Sequence, residues 1–414
     1  MTRVLKFKRS SLLIFLITSL FFFLVQCINN GADKKEALNN ENDAFQQYAG
    51  SEACASCHKN IYDSFIKTNH FTTSQIADAE NIKGSFEKGK NVFHYNPSLF
   101  VSIQKTDSGF YEVENSHGSD TLSARTDIVI GSGTIGQTYL SWKGNNLFQL
   151  PVSYLSSVHD WVNSPGYSDQ TIFGRPINAR CLECHTTYAK SIPSQLSGQQ
   201  EQFDKQKIIY GIGCERCHGP GAKHVQWQTG NPNETIPRYI VNPGKFSKKL
   251  SLDLCRLCHG GKMGNIKPAF TFTSGDKLQD YFIIDELAHT SNLDVHGDQF
   301  SLLANSKCSR TSKTMTCVTC HNAHDNERGD VALFSQRCMA CHNQEHGTFC
   351  TTNATTMSSI SANCIDCHMP QMASKKIVSQ LSDGRGFTAE LLRTHLIAVY
   401  PEATKNFLLK NKNK

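Results

Sequence analysis

Residues 213–224 read GCERCHGPGAKH, and the segment from Cys214 to His218 within them has the pattern Cys-x-x-Cys-His. This pattern occurs seven times in the 414 residues. Chance predicts about 0.03 copies in a chain of this length and composition, so the repetition has a chemical cause. The seven copies are Cys54/Cys57/His58, Cys181/Cys184/His185, Cys214/Cys217/His218, Cys255/Cys258/His259, Cys317/Cys320/His321, Cys338/Cys341/His342 and Cys364/Cys367/His368.

The spacing within each motif predicts covalent attachment of haem c. Two thiols three residues apart lie on one helical turn and form thioethers with the two vinyl groups of a haem, and the following His binds the iron from beneath the ring. The sequence therefore predicts seven haems, each held by two cysteines and one proximal His. Zinc bound by paired cysteines is the alternative, but it does not explain why a His follows every pair.

Ten further histidines remain after the seven proximal ones are subtracted from the 17 in the chain. A low-spin electron-transfer haem usually has a second axial ligand, and neutral imidazole is the common choice. His324 and His346 follow proximal histidines by three and four residues, so we expect them to bind neighbouring haems rather than their own. The six histidines that we predict as distal ligands are His70, His224, His296, His324, His346 and His395.

The seventh distal ligand stays open at this point. Imidazole candidates are His94, His117, His159 and His289, and thioether candidates are Met339, Met369 and Met372. The alternative is that one haem has no second protein ligand.

The N-terminal residues have the pattern of an export signal. Four cationic residues within the first ten are followed by an almost purely apolar run over residues 11–25. Residues 24–27 read LVQC and resemble a bacterial lipoprotein box, although Gln26 replaces the small residue usual before the acylated cysteine. We predict a signal peptide with a lipoprotein box over residues 1–27 and a membrane anchor at Cys27. An uncleaved N-terminal anchor is the alternative.

Residues 28–48 are polar and have no apolar period, which predicts a flexible tether. The body of the protein is therefore expected in the periplasm or at the cell surface. With 14 cysteines in motifs and Cys27 in the lipoprotein box, Cys308 and Cys350 remain. In an oxidising compartment these two are predicted to form a disulfide, the alternative being two free thiols.

Hydrophobic residues make up only 39% of the chain, which is low for a core of this size. We expect porphyrins to fill the interior, and we predict a mainly α and irregular fold packed around seven haems with a small β-rich insert. The expected parts after the tether are a first haem segment (49–90), the insert (91–156) and a multihaem domain (157–414).

The insert is predicted from alternating apolar and polar residues. A hairpin is expected from Leu99, Val101 and Ile103 through the turn at 107–109, and further strands near 126–130, 137–142 and 147–152. Residues 131–136 match G-x-G-x-x-G, but strand-like sequence follows them, so we predict a Gly-rich bend between strands and no nucleotide cofactor.

The sequence resembles the multihaem c-type cytochromes, in particular the branch that includes the tetrahaem electron acceptor of hydroxylamine oxidoreductase. The resemblance rests on residues 48–58 with the later His70, on residues 213–224, and on residues 317–324. Residues 137–140 and 149–152 also look like the β segment of larger relatives. The resemblance implies closely packed haem pairs and electron transfer, and it supports His70, His224 and His324 as distal ligands.

The leading hypothesis is thus a membrane-tethered, extracytoplasmic heptahaem protein that transfers electrons between redox partner proteins. The alternative is an oxidoreductase that acts on nitrite or hydroxylamine at one five-coordinate haem. Some nitrite reductases of related families attach their catalytic haem at a C-x-x-C-K motif. This chain has no such motif, so the enzyme alternative is less favoured. The formal charge of +6 becomes +2 once the four cationic residues of the signal peptide are subtracted. Seven ferric haems bring the total to about −5, so no nucleic acid partner is expected.

Overall fold

The computed structural model describes residues 43–167, 170–193, 198–284, 292–346, 349–350 and 363–411. The predicted signal peptide and lipoprotein box lie outside the described residues, as does most of the predicted tether. The chain from Ala49 onward forms one compact unit. None of the helices in the described ranges has the length and apolar character needed to cross a membrane.

Seventeen strands occur within the described residues. In chain order they are β1 Ser74–Ile76, β2 Val92–Asn96, β3 Leu99–Thr106, β4 Gly109–Ser116, β5 Ser119–Thr126, β6 Ile128–Ile130, β7 Gly136–Lys143, β8 Asn146–Gln149, β9 Val152–Leu155, β10 Asp160–Asn163, β11 Arg175–Pro176, β12 Thr186–Ile192, β13 Gln202–Tyr210, β14 Gly264–Asn265, β15 Phe282–Ile283, β16 Gln371–Gln380 and β17 Phe387–Arg393.

The helices are short, and most of them carry or flank a Cys-x-x-Cys-His motif. The α-helices are Ser51–Ala55, Lys59–Phe65, Ala179–Glu183, Cys214–His218, Ala222–Gly230, Lys248–His259, Gln299–Ala304, Lys307–Thr311, Val331–Met339, Ile365–His368 and Pro401–Asn411. Single 3-10 turns occur at Ala44–Gln47, Pro243–Lys245, Leu278–Asp280, Cys317–Thr319 and Ser382–Gly384.

The strands form four antiparallel sheets. The largest has nine strands, with the path β1-β6-β7-β8-β13-β12 and with β9, β10 and β11 attached to it. It joins strands on both sides of the second motif, because β12 begins immediately after His185. A second sheet has the order β2-β3-β4-β5, and β14-β15 and β16-β17 form two-stranded sheets.

The hairpins predicted in the insert are confirmed. β3 and β4 pair in a register that sets Thr106 opposite Gly109, so residues 107 and 108 form the turn. β7 and β8 pair with Lys143 opposite Asn146, and Gly144 adopts the positive φ of 59° that a two-residue hairpin turn requires. The Gly-rich segment 131–136 is a bend between the antiparallel strands β6 and β7, as predicted.

The main hydrophobic core lies between the two larger sheets. Phe93, Val101, Leu150 and Val152 are fully buried there, together with Trp161, which is 1% exposed. Smaller clusters surround Leu147 with Phe203 and Leu257 with Leu278. The β-rich part therefore has a conventional apolar core of its own side chains.

The C-terminal hairpin β16-β17 contacts this β-rich part. The backbone N–H of His94 donates to Ser382 Oγ, in the turn of the hairpin, at 2.9 Å. Arg385 forms an ion pair with Asp160 at 3.0 Å, and a bridge pairs Val162 with Leu381. The chain thus returns to the insert after its last motif.

The prediction of a mainly α and irregular fold with a small β insert was wrong. Long antiparallel strands continue beyond the insert in β12, β13, β16 and β17, and they extend the sheet structure to both sides of the motifs. The physical reason is that these strands bury polar side chains, such as Ser374 and Ser379 at 2% and 1% exposure, so their sequences lack apolar alternation.

Candidate haem centres

Each Cys-x-x-Cys-His motif forms a tight helical turn. In the first, fifth, sixth and seventh motifs the backbone N–H of the His donates to the carbonyl of the first Cys, at 2.8 to 3.1 Å. Two of the turns are fixed by side-chain caps, since Asn178 Oδ1 accepts from Cys181 N–H and Thr316 and Thr319 form a capping box. The two cysteines and the His of each motif therefore lie within one compact turn.

Parts of three motifs are exposed at the surface of the polypeptide. Cys57 and His58 of the first motif are exposed, and so are Cys341 and His342 of the sixth and Cys181 of the second. The assignment of these five residues to haem attachment stays a prediction.

The motifs contact one another through their thiols. Cys54 lies beside Cys214, Cys184 beside Cys258, Cys255 beside Cys317, and Cys338 beside Cys364. The neighbouring Cys54 lowers the pKa of Cys214 to about 6, and the neighbouring Cys338 lowers the pKa of Cys364 to about 6. The first and third, second and fourth, fourth and fifth, and sixth and seventh motifs are therefore neighbours.

Three proximal histidines have a second imidazole opposite them. The ring centroids are 6.1 Å apart for His259 and His70, 6.1 Å for His218 and His324, and 6.2 Å for His321 and His395. Two imidazoles that bind one metal from opposite sides, each at a metal–nitrogen distance of about 2 Å, have centroids about 6 Å apart. The spacing therefore fits an iron between the rings of each pair.

The planes of these ring pairs differ in orientation. His218 and His324 are nearly parallel at 14°, and His321 and His395 are at 27°. His70 and His259 are much closer to perpendicular, at 68°.

A fourth proximal histidine, His185, lies near His296. Burial, followed by the neighbouring His296, lowers the pKa of His185 to about 4. Its position is fixed by two neighbours from the segment after the first motif: Thr73 Oγ1 lies 3.2 Å from His185 Nδ1, and Ser74 Oγ donates to the His185 carbonyl at 2.6 Å.

Burial favours the neutral form of several of the paired imidazoles. Desolvation is the main cause that lowers the pKa of His70 and of His395 to about 4, and the second causes are His259 and His321 respectively. It also lowers the pKa of His259 and His324. His70 and His259 are nevertheless accessible at their surfaces, so protein surrounds these rings without covering them. A neutral, accessible imidazole has a lone pair available for a metal, which these sites require.

Several rings are oriented by a bond at Nδ1, which leaves Nε2 available. The Nδ1 atoms of His218, His368 and His224 lie 2.9, 2.9 and 2.8 Å from the carbonyl oxygens of Val241, Ala398 and Arg238. A bond of this kind commonly fixes the tautomer of a ligating His.

The other candidate ligands have different surroundings. His224 is half-buried and His346 is exposed. His94 packs against Phe100 at 5.1 Å, and the Nδ1 atoms of His117 and His159 lie near Ser116 Oγ and Tyr154 Oη. His289 lies outside the described residues, whereas Met339, Met369 and Met372 are half-buried.

The predicted disulfide between Cys308 and Cys350 is not formed, and both thiols are free. Cys308 lies near Cys320 and Cys338, whereas Cys350 lies near Cys367, so the two thiols face different motifs. The disulfide was predicted only because these two cysteines remained after the others were assigned, and a count of cysteines contains no information on the distance between them.

Charged residues inside and beside the motifs were missed by the sequence analysis. Glu215 is buried, and its carboxylate accepts backbone N–H groups of Ala49, Gly50 and Gly221 at 2.7, 2.9 and 2.7 Å. It connects the segment before the first motif with the third motif and with the start of the helix that carries His224. The signal available in the sequence was an acidic residue between the two cysteines.

Arginines form a second set of connections between motifs. Arg180 Nη2 donates to the carbonyl of Leu257 in the fourth motif at 2.6 Å. Arg216 in the third motif donates from Nη2 to the carbonyl of Glu183 in the second at 3.0 Å. Arg337 Nη1 donates to the Cys320 carbonyl at 2.6 Å and so connects the sixth motif with the fifth.

The residues fit covalently bound haem. Each motif supplies two thiols and an imidazole, four proximal rings have a second imidazole nearby, and among the described residues Arg216 Nε and Trp227 Nε1 are buried donors without a protein partner. An open apolar groove of about 550 Å³ lies beside the seventh motif, where His368 contacts Ala398, and is lined by Val399, Pro401, Thr404, Lys405, Leu408 and Leu409. Within the described ranges no cluster of three or more His, Cys, Asp or Glu side chains surrounds a position for a single metal ion.

The chain is similar to known cytochromes. The family of cytochrome c554 and c-prime matches residues 53–96 and 156–219, which contain the first three motifs. The dissimilatory sulfite reductase MccA of Wolinella succinogenes is 21% identical over 422 residues, which cover 84% of this chain and 54% of that protein. This chain thus spans about half the length of that relative.

The solved structure of the outer cell wall cytochrome OcwA has a similar fold, with a TM-score of 0.54 and 17% identity over 89% of this chain and 84% of that one. Together with the motifs, these similarities support a multihaem c-type cytochrome with covalently bound haem c.

Proposed function

We propose that this multihaem c-type cytochrome binds seven haems and transfers electrons between redox partners outside the cytoplasm, anchored to a membrane through a lipid at Cys27. The export-signal pattern over residues 1–27 supports the location. So does the similarity to a cytochrome that is named for the outer cell wall.

The observation that carries the proposal is an unbroken series of contacts between motifs. Cys217 of the third motif lies close enough to Cys255 of the fourth to raise the pKa of Cys255. Cys341 of the sixth motif likewise raises the pKa of Cys320 in the fifth. With the four thiol contacts described above, the proposed order is first, third, fourth, fifth, sixth, seventh. The second motif branches from the fourth through Cys184 and Cys258.

The histidines are assigned on the same basis. His296, His324, His70 and His395 are the proposed distal ligands for the second, third, fourth and fifth motifs. His224 is assigned to the first motif, opposite His58, because Glu215 fixes the start of its helix beside Ala49 and Gly50. His346 is assigned to the seventh, since its own motif contacts that one.

The sixth haem, on His342, has no distal ligand in this assignment. A solvent molecule or a small substrate would then occupy the position of its second axial ligand. None of the remaining candidate ligands is assigned to a haem; these are His94, His117, His159, His289, Met339, Met369 and Met372.

When bound, haem c supplies an iron that gains and loses one electron at a time. The protein's part is to present neutral imidazoles and to hold neighbouring motifs in contact. The protein packed around His70, His185 and His395 performs the first task. The arginine bonds between motifs perform the second.

The experiment is reduction of the full-length holoprotein with and without individual motifs. The wild type should contain seven haems by pyridine haemochrome and should take up seven electrons per chain. C255A/C258A removes the fourth haem and breaks the proposed row, so reduction by a one-electron donor should become slow for part of the remaining haems. C181A/C184A is the matched control, because it removes one haem from the branch only. Equal kinetics in both variants would count against the order.

A second candidate function is reduction of a small oxyanion or nitrogen compound at a haem with one protein ligand. The similarity to a dissimilatory sulfite reductase over 84% of this chain favours it. A high-spin signal in the oxidised wild type, together with cyanide binding to one haem, would support this function and would name sulfite, nitrite and hydroxylamine as the substrates to assay. Entirely low-spin spectra would support electron transfer alone.

A further inference from the structure

The second, third and fourth motifs meet at a buried group of three charged side chains, Arg180, Arg216 and Glu183. Glu183 is fully buried, Arg216 is 9% exposed, and the side chain of Arg180 is 21% exposed. Glu183 Oε2 accepts from Arg180 Nη1 at 2.9 Å, and Glu183 Oε1 lies 3.7 Å from Arg216 Nη2. We call these three residues the charged junction.

The surroundings of the charged junction are apolar. The guanidinium of Arg216 lies 5.5 Å from the centroid of the Phe270 ring, and that of Arg180 lies 4.8 Å from the centroid of Phe282. Charges interact more strongly in such surroundings than in water, because the local dielectric constant is lower. The junction carries two positive charges and one negative charge, so it has one positive charge in excess.

An excess buried charge is costly unless an opposite charge compensates it. Among the described residues the Nε of Arg216 has no acceptor. Haem c brings negative propionates and gains one negative charge when its iron is reduced, so an adjacent positive charge favours the reduced state.

We propose that the charged junction raises the reduction potential of the haems attached at the second and fourth motifs, so that electrons collect at the branch point of the row. The location follows from the bonds of the three residues. Glu183 directly precedes Cys184, which contacts Cys258, and Arg180 donates to Leu257, the residue before Cys258. This inference rests on the proposed function in assuming haem at both motifs.

Substitutions by the neutral residue Gln give the junction a graded charge. R216Q removes the excess charge, E183Q adds one more positive charge, and R180Q/R216Q makes the junction negative. The double variant R216Q/E183Q has the charge of the wild type. If charge sets the potential, the order from lowest to highest is R180Q/R216Q, R216Q, wild type together with R216Q/E183Q, and E183Q.

The measurement is a potentiometric titration of each holoprotein followed by visible absorbance. We expect a minority of the haems to shift to lower potential in R216Q and to higher potential in E183Q, with recovery in R216Q/E183Q. R125Q is the matched control: Arg125 is an exposed arginine on β5 paired with Asp127, and its loss should leave the titration unchanged.

Two results would overturn the inference: unchanged potentials in R216Q and E183Q, or shifts of the same sign in both. If R216Q does not accumulate, E183Q alone remains decisive, because only an upward shift agrees with the proposal. Haem content and electrons per chain are read from the same samples. A wild-type count below seven would contradict the proposed function while leaving the order of potentials measurable.

Discussion

Replacement of His324 by Ala tests the pairing of imidazoles most directly. The ring of His324 faces that of His218 with centroids 6.1 Å apart and planes 14° apart. If an iron lies between them, H324A leaves it with one protein ligand and changes it from low spin to high spin. Under the seven-haem proposal about one-seventh of the iron should change.

The plane angle gives the expected spectrum. Two parallel axial imidazoles act on the same iron orbital and split the d levels unevenly, which produces a well-resolved rhombic electron paramagnetic resonance signal. Nearly perpendicular planes leave two levels close in energy, which produces a broad signal with one large g value. H324A should therefore remove a rhombic signal, whereas H70A should remove a broad one, because His70 and His259 are 68° apart.

The assay is electron paramagnetic resonance of the oxidised holoprotein, with cyanide added to the high-spin form. H94A is the control, because His94 packs against Phe100 on the β-rich part. A high-spin signal in H324A beyond that of the wild type, and no such increase in H94A, is the expected result. Unchanged low-spin signals in an H324A protein with full haem content would refute the pairing.

Three further predictions concern stability and anchoring. F93A should lower the free energy of unfolding by about 3–5 kcal/mol in urea titrations, because Phe93 is fully buried. L122A is the control: Leu122 is half exposed on β5, so its replacement should change the free energy of unfolding by less than about 0.5 kcal/mol. Equal losses in the two variants would contradict the core assignment. Burial raises the pKa of Glu112 well above its usual range, so the folded state keeps a proton that the unfolded chain releases, and stability should fall as pH rises from the ordinary carboxyl pKa towards the folded-state value. E112Q should flatten this fall, and an unchanged slope would exclude Glu112 as its cause. C27S should lose the acyl mass and leave the membrane fraction, and identical partition of both proteins would argue against the lipid anchor.

The strands predicted correctly are those whose pattern is local. Val101 and Ile103 alternate with polar residues, and the two-residue turn at 107–108 defines their hairpin without reference to distant segments. β13, in contrast, pairs with β8 through Gln202 and Asn146, which are far apart in the chain. Its neighbours decide its conformation, and no apolar period reveals it.

The candidate haem ligands also differ in how local their sequence signal is. Spacing within a motif predicts the proximal histidines, because five consecutive residues contain the whole signal. Distal candidates such as His70 and His395 are also predicted from the sequence, but the rings near them, His259 and His321, belong to other motifs. Such pairs depend on tertiary contacts, for example the bond from Ile212 N–H to the His70 carbonyl at 2.8 Å.

The two residues between the cysteines of each motif distinguish the central motifs from the outer ones. In the second, third and fourth motifs these residues are buried, and they include Glu183, Glu215, Arg216 and Arg256. In the fifth motif Val318 is 58% exposed. Haem attachment requires only the cysteines and the His, so the intervening positions are free to vary with their surroundings. In the third motif both positions bond to neighbouring segments, since Glu215 accepts from Ala49 and Gly50 and Arg216 donates to the Glu183 carbonyl of the second motif.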